Sequence, residues 1–235
     1  KINAAFAWGG APLLIQTIEN ETGVRIDHYI EIGFAGFAGM VDALGGIEVC
    51  SKVPIDDPKS HLVLAAGTHT LNGIEALKYV RTRDFDGRGD IGRMERQQQF
   101  VGAVLRKATS SGVLLNPIKL TNFYNAAISS VKMDAGVTKN DLLTLAKQLR
   151  NLSSGNVRTL TVPISNPNGR HPTAGSVVIW DEVLAANLWT KIRNDEALLE
   201  TVKPTASASA KPVTIDKFKT KTAADNPCAA IDSRA

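Results

Sequence analysis

Apolar and polar residues follow two periods along this chain, and segments of the two kinds succeed one another. Residues 24–32, 47–55 and 157–164 have the alternation and β-rich composition of strands. Residues 11–22 and the stretch that starts at residue 90 carry apolar side chains at helical spacing. We therefore predict an α/β protein in which helices cover a sheet.

Sequence signals also indicate where helices begin and end. Gly23 ends the helix of residues 11–22, and Asp181 stands where a strand passes into a helix. Residues 116–131 are predicted to form a further helix, and Thr138 and Asp141 have the spacing of a capping box at the start of another.

The order of these elements predicts a layered α-β-α sandwich with a central mixed sheet. Residues 34–46 are apolar nearly all round, which predicts a buried helix that ends at Gly45 and Gly46. The strands are few for a complete sheet, and the chain begins at Lys1 rather than at methionine. We expect that the N-terminal part of the fold is absent from this chain.

The composition changes near residue 200, where TVKPTASASAKP is small, polar and proline-containing. We predict a domain over residues 1–199 and a linker-like tail over residues 200–235. Cys50 and Cys228 are either free thiols or a disulfide. We favour the disulfide because it would pin the tail, and closing so long a loop stabilises by about 5 kcal/mol in the chain-entropy model.

The bulk composition excludes some functions without choosing one. The 43% hydrophobic and 21% charged residues are ordinary for a soluble globular protein. The net charge is only +4, and only 6% of the residues are aromatic. Both values are too low to argue for nucleic-acid binding. No apolar run is long enough to cross a bilayer.

One short segment, YVRTRDFDGRGDIGRMERQQQF at residues 79–100, uses arginine and no lysine. Its arginines are interleaved with acids, and this allows two interpretations. The first is an internal salt-bridge network with Asp84, Asp86 and Asp90. The second is an oxyanion site, because the planar guanidinium group matches phosphate oxygens two at a time and lysine does not.

The helix that follows this segment is predicted to begin with Asp90 as its N-cap. At 100° per residue, Arg93 and Gln97 fall on the face of its apolar residues, and Arg96 falls on the flank. The apolar residues of that face are Met94, Val101, Val104, Leu105 and Ala108.

Residues 84–95 also approach the pattern of a calcium-binding EF-hand loop. Asp84, Asp86, Gly89 and Glu95 stand in register with that pattern. Arg88, however, occupies a position where a ligand oxygen belongs, so a calcium-binding module remains an alternative of lower rank.

Four separated stretches resemble one family. They are KINAAFAWGG, GFAGFAGMVDALGGIEV, GTHTLNGIEALKYVRTR and ALKYVRTRDFDGRGDIGRMERQQ. In this order, over about residues 1–195, the chain resembles the LytR–CpsA–Psr family of cell-envelope phosphotransferases. The resemblance implies transfer of a phosphate-linked glycan from a polyprenyl-pyrophosphate carrier to a hydroxyl of peptidoglycan.

The resemblance also assigns residues to the site. Arg81 and Arg83 match the arginine pair that grips the pyrophosphate, and Asp90 matches an acid that orients arginines or helps to deprotonate the acceptor; these three are the predicted catalytic residues. Arg93 and Gln97 match residues of the next helix that bind the headgroup. Lys1 and Asn3 match a motif lining the same pocket.

The family's earlier half carries acidic magnesium ligands, so we expect Mg²⁺ as cofactor with its ligands outside this chain, and we name no metal ligand here. The cysteines and the tail point to an actinobacterial member, in which the glycan would be arabinogalactan. We expect an extracellular domain anchored to the cell membrane through a segment not in this chain. The alternative is a polyprenyl-pyrophosphate binding protein or a pyrophosphatase without ligase activity.

Overall fold

The structure, a computed structural model, describes residues 1–110, 131–138, 140–142, 144, 148, 157–198, 200–201, 214–215, 221–222 and 228. The helices that it bounds are α1 (Ile2–Thr22), α2 (Phe34–Ala43), α3 (Gly73–Arg81), α4 (Gly89–Ser110) and α5 (Glu182–Arg193). A further helix, predicted over residues 116–131, lies almost wholly outside the described residues.

The strands of the described residues are short and pair two by two. They are β1 (Ile30–Ile32), β2 (Ile47–Ser51), β3 (Ile55–Asp57), β4 (Leu62–Leu64), β5 (Gly67–Leu71), β6 (Val131–Met133), β7 (Arg158–Thr159), β8 (Ile164–His171), β9 (Gly175–Trp180), β10 (Glu200–Thr201), β11 (Thr214–Ile215) and β12 (Lys221–Thr222). The antiparallel pairs are β1–β6, β2–β5, β3–β4, β7–β12, β8–β9 and β10–β11.

The predicted α/β class is confirmed. The predicted central mixed sheet is not seen among the described residues, where every ladder joins two antiparallel strands. The physical reason is that an alternation of helices and strands constrains the layers, whereas strand pairing depends on residues distant in sequence. The strand predicted over residues 24–32 is also shorter, because only Ile30–Ile32 finds a partner strand.

The chain folds as two compact units. The first contains Lys1–Tyr29 and Leu160–Thr220, and the second contains Ile30–Thr159 and Lys221–Ala235. The division at residue 199 that composition suggested stays a prediction.

In the first unit, glycines shape α1. Gly10 has φ 63° and ψ −155° inside the helix, two residues before Pro12, and this non-helical conformation, which favours glycine, kinks the helix. Gly23 ends it as a left-handed C-cap with φ 64°, as predicted, and its N–H donates to the carbonyl of Glu19 at 2.7 Å. Among the described residues, no helix is both long enough and apolar enough to span a membrane.

The second unit has a continuous apolar core. Alternate residues of β2 are buried, and Ile47 pairs with Leu71 of β5. The helices α2, α3 and α4 complete this core, whose buried members are Val41, Leu44, Ile47, Val49, Ile55, Leu62, Leu71, Ala76, Tyr79, Val80, Phe100 and Ala103. Because Tyr79 and Val80 are core residues, the end of α3 is held firmly beside α4.

Helix α3 begins in close contact with α2. A Cβ on Gly73 would overlap the backbone of Ala38, so only glycine allows this approach. The N–H of Gly73 donates to Asp42 Oδ1 at 2.7 Å. The prediction that α2 is buried all round is wrong at its start, because Phe34 is 64% exposed.

Local capping follows the sequence closely elsewhere. The Asp181 side chain accepts from the N–H of Leu184 at 2.9 Å and begins α5, as predicted. Thr138 and Asp141 exchange the reciprocal hydrogen bonds of the predicted capping box, at 2.8 and 3.2 Å.

Cys50 and Cys228 are joined by a disulfide, with their Cα atoms 5.6 Å apart. Cys228 is fully buried. This bond fixes residue 228 beside strand β2, so the part of the tail around it belongs to the second unit.

Candidate active site

Helices α3 and α4 bring the arginines of the segment 79–100 to one place. The capping box of Asn72 and Glu75 starts α3, with both reciprocal hydrogen bonds at 3.0 Å. The helix ends at Arg81, and a short loop that contains Arg83 leads to Gly89, where α4 begins. Asp90 therefore lies in the first turn of α4 and is not its N-cap, which corrects the prediction.

A cavity of about 350 Å³ opens between the ends of these helices and the turn after β3. Its lining residues are Lys59, Ser60, Arg81, Arg83, Arg93 and Gln97. Four of the predicted site residues are thus brought together. The lining carries four cationic side chains and no acidic one, so the cavity suits an anion.

Asp90 connects two of the cavity's arginines. Its Oδ1 atom lies 3.0 Å from Arg93 Nη2 and 3.5 Å from Arg83 Nε. One carboxylate oxygen therefore orients a loop arginine and a helix arginine toward the same side, and it reduces their mutual repulsion.

The other two predicted residues of the cavity are held differently. The guanidinium of Arg81 stacks 5.0 Å from the ring centroid of Phe34. Among the described residues, no carboxylate lies within ion-pair distance of Arg81. The Gln97 side chain donates from Nε2 to the carbonyl of Val80 at 3.2 Å, which ties it to the end of α3.

Arg96 is the buried arginine of the segment, with 5% of its surface exposed. It donates to the carbonyl of Thr82 at 2.6 Å and to Asp86 Oδ2 at 3.0 Å. It also stacks 4.7 Å from the ring centroid of Phe85. Arg96 thus clamps the loop between α3 and α4.

This corrects the predicted face of α4. Gly92, Arg96, Phe100 and Ala103 form the buried stripe, whereas Gln97 is exposed and Arg93 is partly exposed. The helix is turned by about one residue from the prediction. The reason is that the loop between α3 and α4 covers the start of the helix, and it offers Arg96 a backbone carbonyl, a carboxylate and an aromatic ring.

A second arginine, Arg88, extends this clamp at the surface. It pairs with Glu95 at 2.8 Å and with Asp86 at 3.2 Å. Burial by itself would raise the pKa of Asp86, but the N–H of Arg88 and the charge of Arg96 outweigh it and hold that pKa below its usual value. The hydrogen bond from Arg88 to Glu95 raises the pKa of the Arg88 guanidinium group.

These pairs count against the calcium alternative. The carboxylates that would bind calcium are engaged by cations: Asp84 by Lys59 at 2.7 Å, and Asp86 and Glu95 by arginines. A bound arginine would have to leave before an ion could enter. Within the described residues, no group of three or more His, Cys, Asp or Glu side chains could hold a metal ion.

The structure adds Asp57, which the sequence reasoning missed. It is 1% exposed, yet its carboxylate accepts from the backbone N–H groups of Lys59, Ser60, Arg83 and Asp84, at 2.7 to 3.0 Å. Burial by itself would raise its pKa, but these four donors outweigh burial and hold the pKa well below its usual value.

The sequence indicates two of the four hydrogen bonds that Asp57 accepts. An aspartate followed by proline is typical of an Asx-turn, which accounts for the bonds to Lys59 and Ser60. Nothing local indicates the bonds to the later loop.

Lys1 and Asn3 lie at the start of α1 in the first unit, and both are exposed. The cavity is built from residues of the second unit alone. The assignment of Lys1 and Asn3 to the cavity therefore stays a prediction.

The fold agrees with the comparison to known proteins. The chain belongs to the LytR_cpsA_psr family, whose model matches residues 1–194. The resemblance found in the four sequence stretches is thereby confirmed.

Individual relatives support the same conclusion. The chain is 43% identical over 193 residues to the "Probable cell wall biosynthesis protein LcpB" of Corynebacterium glutamicum, which covers 82% of this chain and 45% of that protein. It is 32% identical over 169 residues to the polyisoprenyl-teichoic acid–peptidoglycan teichoic acid transferase TagV of Bacillus subtilis, with 69% and 41% covered. The corynebacterial relative agrees with the predicted actinobacterial membership.

The crystal structure of B. subtilis TagV has the same fold, with a TM-score of 0.68 and 26% identity over 84% of this chain and 75% of that one. The chain spans less than half the length of the two curated relatives. The activity of the full-length relatives can therefore only be proposed for this chain.

Proposed function

We propose that the protein is a phosphotransferase that moves a glycan phosphate from a polyprenyl-pyrophosphate carrier to peptidoglycan. The observation that carries the proposal is the cavity lined by Arg81, Arg83, Arg93 and Gln97. Arginine forks bind phosphate oxygens in pairs, and several forks directed at one cavity suit a pyrophosphate better than a single phosphate.

The chemistry assigned to these residues is charge stabilisation. A hydroxyl oxygen of the acceptor forms a bond to the glycan-linked phosphorus, and the bond from that phosphorus to the bridging oxygen breaks. The polyprenyl phosphate leaves with the electron pair, and the hydroxyl proton passes to solvent or to a base. The arginines stabilise the negative charge that develops on the phosphate oxygens, which is the role typical of arginine in phosphoryl transfer.

Asp90 acts in this proposal by orienting Arg83 and Arg93. Its Oδ1 atom is already shared between the two guanidinium groups, so that oxygen is poorly placed to accept the acceptor's proton. Arg81, Arg83 and Asp90 remain the residues proposed for catalysis. Lys1 and Asn3 are proposed as further contacts to the headgroup.

The wider context is also proposed, from the family resemblance. The glycan is arabinogalactan, the acceptor is peptidoglycan, and the domain works outside a cell membrane to which the protein is anchored. Mg²⁺ would neutralise phosphate charge. Since the described residues contain no cluster that fits it, no step is assigned to a metal here.

A transfer assay tests the proposal. The protein, together with the N-terminal part that the family resemblance implies, is incubated with peptidoglycan and a polyprenyl-pyrophosphate glycan whose glycan-linked phosphorus carries ³²P, with Mg²⁺ or with EDTA. We expect label in the insoluble peptidoglycan and a dependence on Mg²⁺. Release of soluble labelled glycan phosphate without labelled peptidoglycan would instead support the alternative of a pyrophosphatase, and bound but unreacted lipid would support a binding protein.

A further inference from the structure

Half of the cavity's lining depends on one buried carboxylate. Lys59, Ser60 and Arg83 line the cavity, and each donates its backbone N–H to Asp57, at 2.9, 3.0 and 2.7 Å. A carboxylate buried so completely needs such donors, since an unpaired buried charge is strongly disfavoured. These donors are the backbone N–H groups of residues that form the cavity wall.

The two oxygens of Asp57 serve two different segments. Oδ1 accepts from the turn that follows β3, and Oδ2 accepts from Arg83 and Asp84 in the loop after α3. Asp57 therefore joins two segments separated by 26 residues in the sequence. The ion pair between Lys59 Nζ and Asp84 Oδ2, at 2.7 Å, ties the same segments at the surface.

Ser60 supplies an independent observation. Its Oγ atom is buried, and within the described part of the chain it has no hydrogen-bond partner, although the residue lines the cavity. A buried hydroxyl without a partner is unfavourable. A phosphate oxygen bound in the cavity would accept its hydrogen bond.

We propose that the segment Asp57–Ser60, called here the Asp57 turn, is a second binding wall of the anion cavity. Ser60 donates to a phosphate oxygen of the ligand, and Asp57 is a positioning residue that holds this wall against Arg83. The inference rests on the proposed function, because it assumes that the ligand is a pyrophosphate.

A merely structural Asp57 would stabilise the fold without acting through the cavity. The test is a double-mutant cycle read by calorimetric titration with farnesyl pyrophosphate, well below the melting temperature of every variant. Asp57→Asn places an amide NH₂ against two backbone donors, so one segment loses its acceptor. The matched control is Asp56→Asn, one residue earlier on β3 and exposed.

We expect Asp57→Asn to weaken farnesyl-pyrophosphate binding about tenfold, and Asp56→Asn to leave it unchanged. In an Arg83→Lys background the effect of Asp57→Asn falls to about threefold, because the variant lacks the guanidinium group that Asp57 positions. In an Arg93→Lys background the effect stays about tenfold, since Arg93 lies on α4 and receives nothing from Asp57. Equal effects in the two backgrounds would overturn the positioning role.

Ser60→Ala keeps the proposal testable even where Asp57→Asn fails to fold. We expect about a fivefold loss of affinity with an unchanged melting temperature, and recovery by Ser60→Thr, which restores a hydroxyl. Unchanged affinity of the Ser60→Ala variant would contradict the proposal that the Asp57 turn is a second binding wall, and it would leave the proposed function standing. A wild-type protein that binds neither farnesyl pyrophosphate nor inorganic pyrophosphate, with or without Mg²⁺, overturns the proposed function and this inference together.

Discussion

The segment 79–100 holds two groups of arginines whose surroundings differ sharply. Arg81, Arg83 and Arg93 line the cavity, and the ion pairs of Arg83 and Arg93 are partly exposed. Arg96 and Arg88 instead bind Asp86 of the loop, and Arg96 is buried. The same residue type therefore has two kinds of surroundings a few residues apart: one group presents its charge to the cavity, and the other holds the loop that places the first.

Both interpretations of the arginine-rich segment describe part of it. The structure contains the internal salt-bridge network and, beside it, a cationic cavity that suits an oxyanion, and the two divide the arginines between them. The contacts of each acid explain why acids and arginines alternate in this segment. Asp86 and Glu95 bind the arginines that hold the loop, and Asp90 binds arginines of the cavity.

The largest effect is expected from Arg96→Ala. The substitution leaves Asp86 and the carbonyl of Thr82 without their buried donor, and breaking a buried pair costs about 3–5 kcal/mol. Urea unfolding monitored by circular dichroism measures the loss. The matched control is Arg93→Ala, one turn earlier on α4, for which we expect little loss because Arg93 is partly exposed.

The pH dependence sharpens this prediction. The folded protein holds the pKa of Asp86 below its usual value. The stability from that carboxylate is therefore fully present above the unfolded pKa of about 4, and it is lost as the pH falls through the lower, folded pKa. The difference between wild type and Arg96→Ala should shrink below pH 4, and a constant difference would contradict the role of Asp86.

The next largest effect concerns binding. Arg83→Ala removes a charged fork from the cavity, and charge-assisted hydrogen bonds contribute about 1.5–3 kcal/mol each. We expect affinity for farnesyl pyrophosphate to fall at least tenfold with an unchanged melting temperature. Retained affinity would show that the cavity does not grip pyrophosphate through Arg83.

A smaller effect is expected from Asp90→Asn. The amide keeps the shape of the side chain but loses the charge shared by Arg83 and Arg93, whose exposed pairs contribute below about 1 kcal/mol. Affinity should fall about threefold at low salt, and the difference should vanish in 1 M NaCl, where such pairs are screened. Titrations at the two salt concentrations measure it.

The smallest effect is expected from Arg88→Ala. Arg88 is half exposed, and Asp86 keeps its contact with Arg96 when Arg88 is removed. We expect a stability loss below about 1 kcal/mol and unchanged pyrophosphate affinity. A loss as large as that of Arg96→Ala would show that the clamp acts as one unit and that burial does not separate its two arginines.

Much of the local structure could be predicted from the sequence. Gly23, Asp181 and the Thr138–Asp141 pair cap their helices as expected, because a cap involves residues within about four positions of one another. The set of cavity residues Arg81, Arg83, Arg93 and Gln97 was reached through the family resemblance, which depends on short stretches of unbroken sequence.

Two of the errors arise where residues distant in sequence decide the structure. The face of α4 was misplaced because the loop from Thr82 to Asp86 supplies polar partners that make Arg96 the buried residue. Similarly, α2 was predicted to be buried all round, yet Phe34 is exposed where it stacks on Arg81.

The sequence by itself determined the α/β class, the family, several helix caps and the arginines available for an anion. Only the tertiary structure decided which arginine is buried and that Asp57 joins the turn after β3 to the loop of Arg83. The physical reason is that capping and periodicity are local, whereas the burial of a charge depends on donors that the fold brings from 26 residues away.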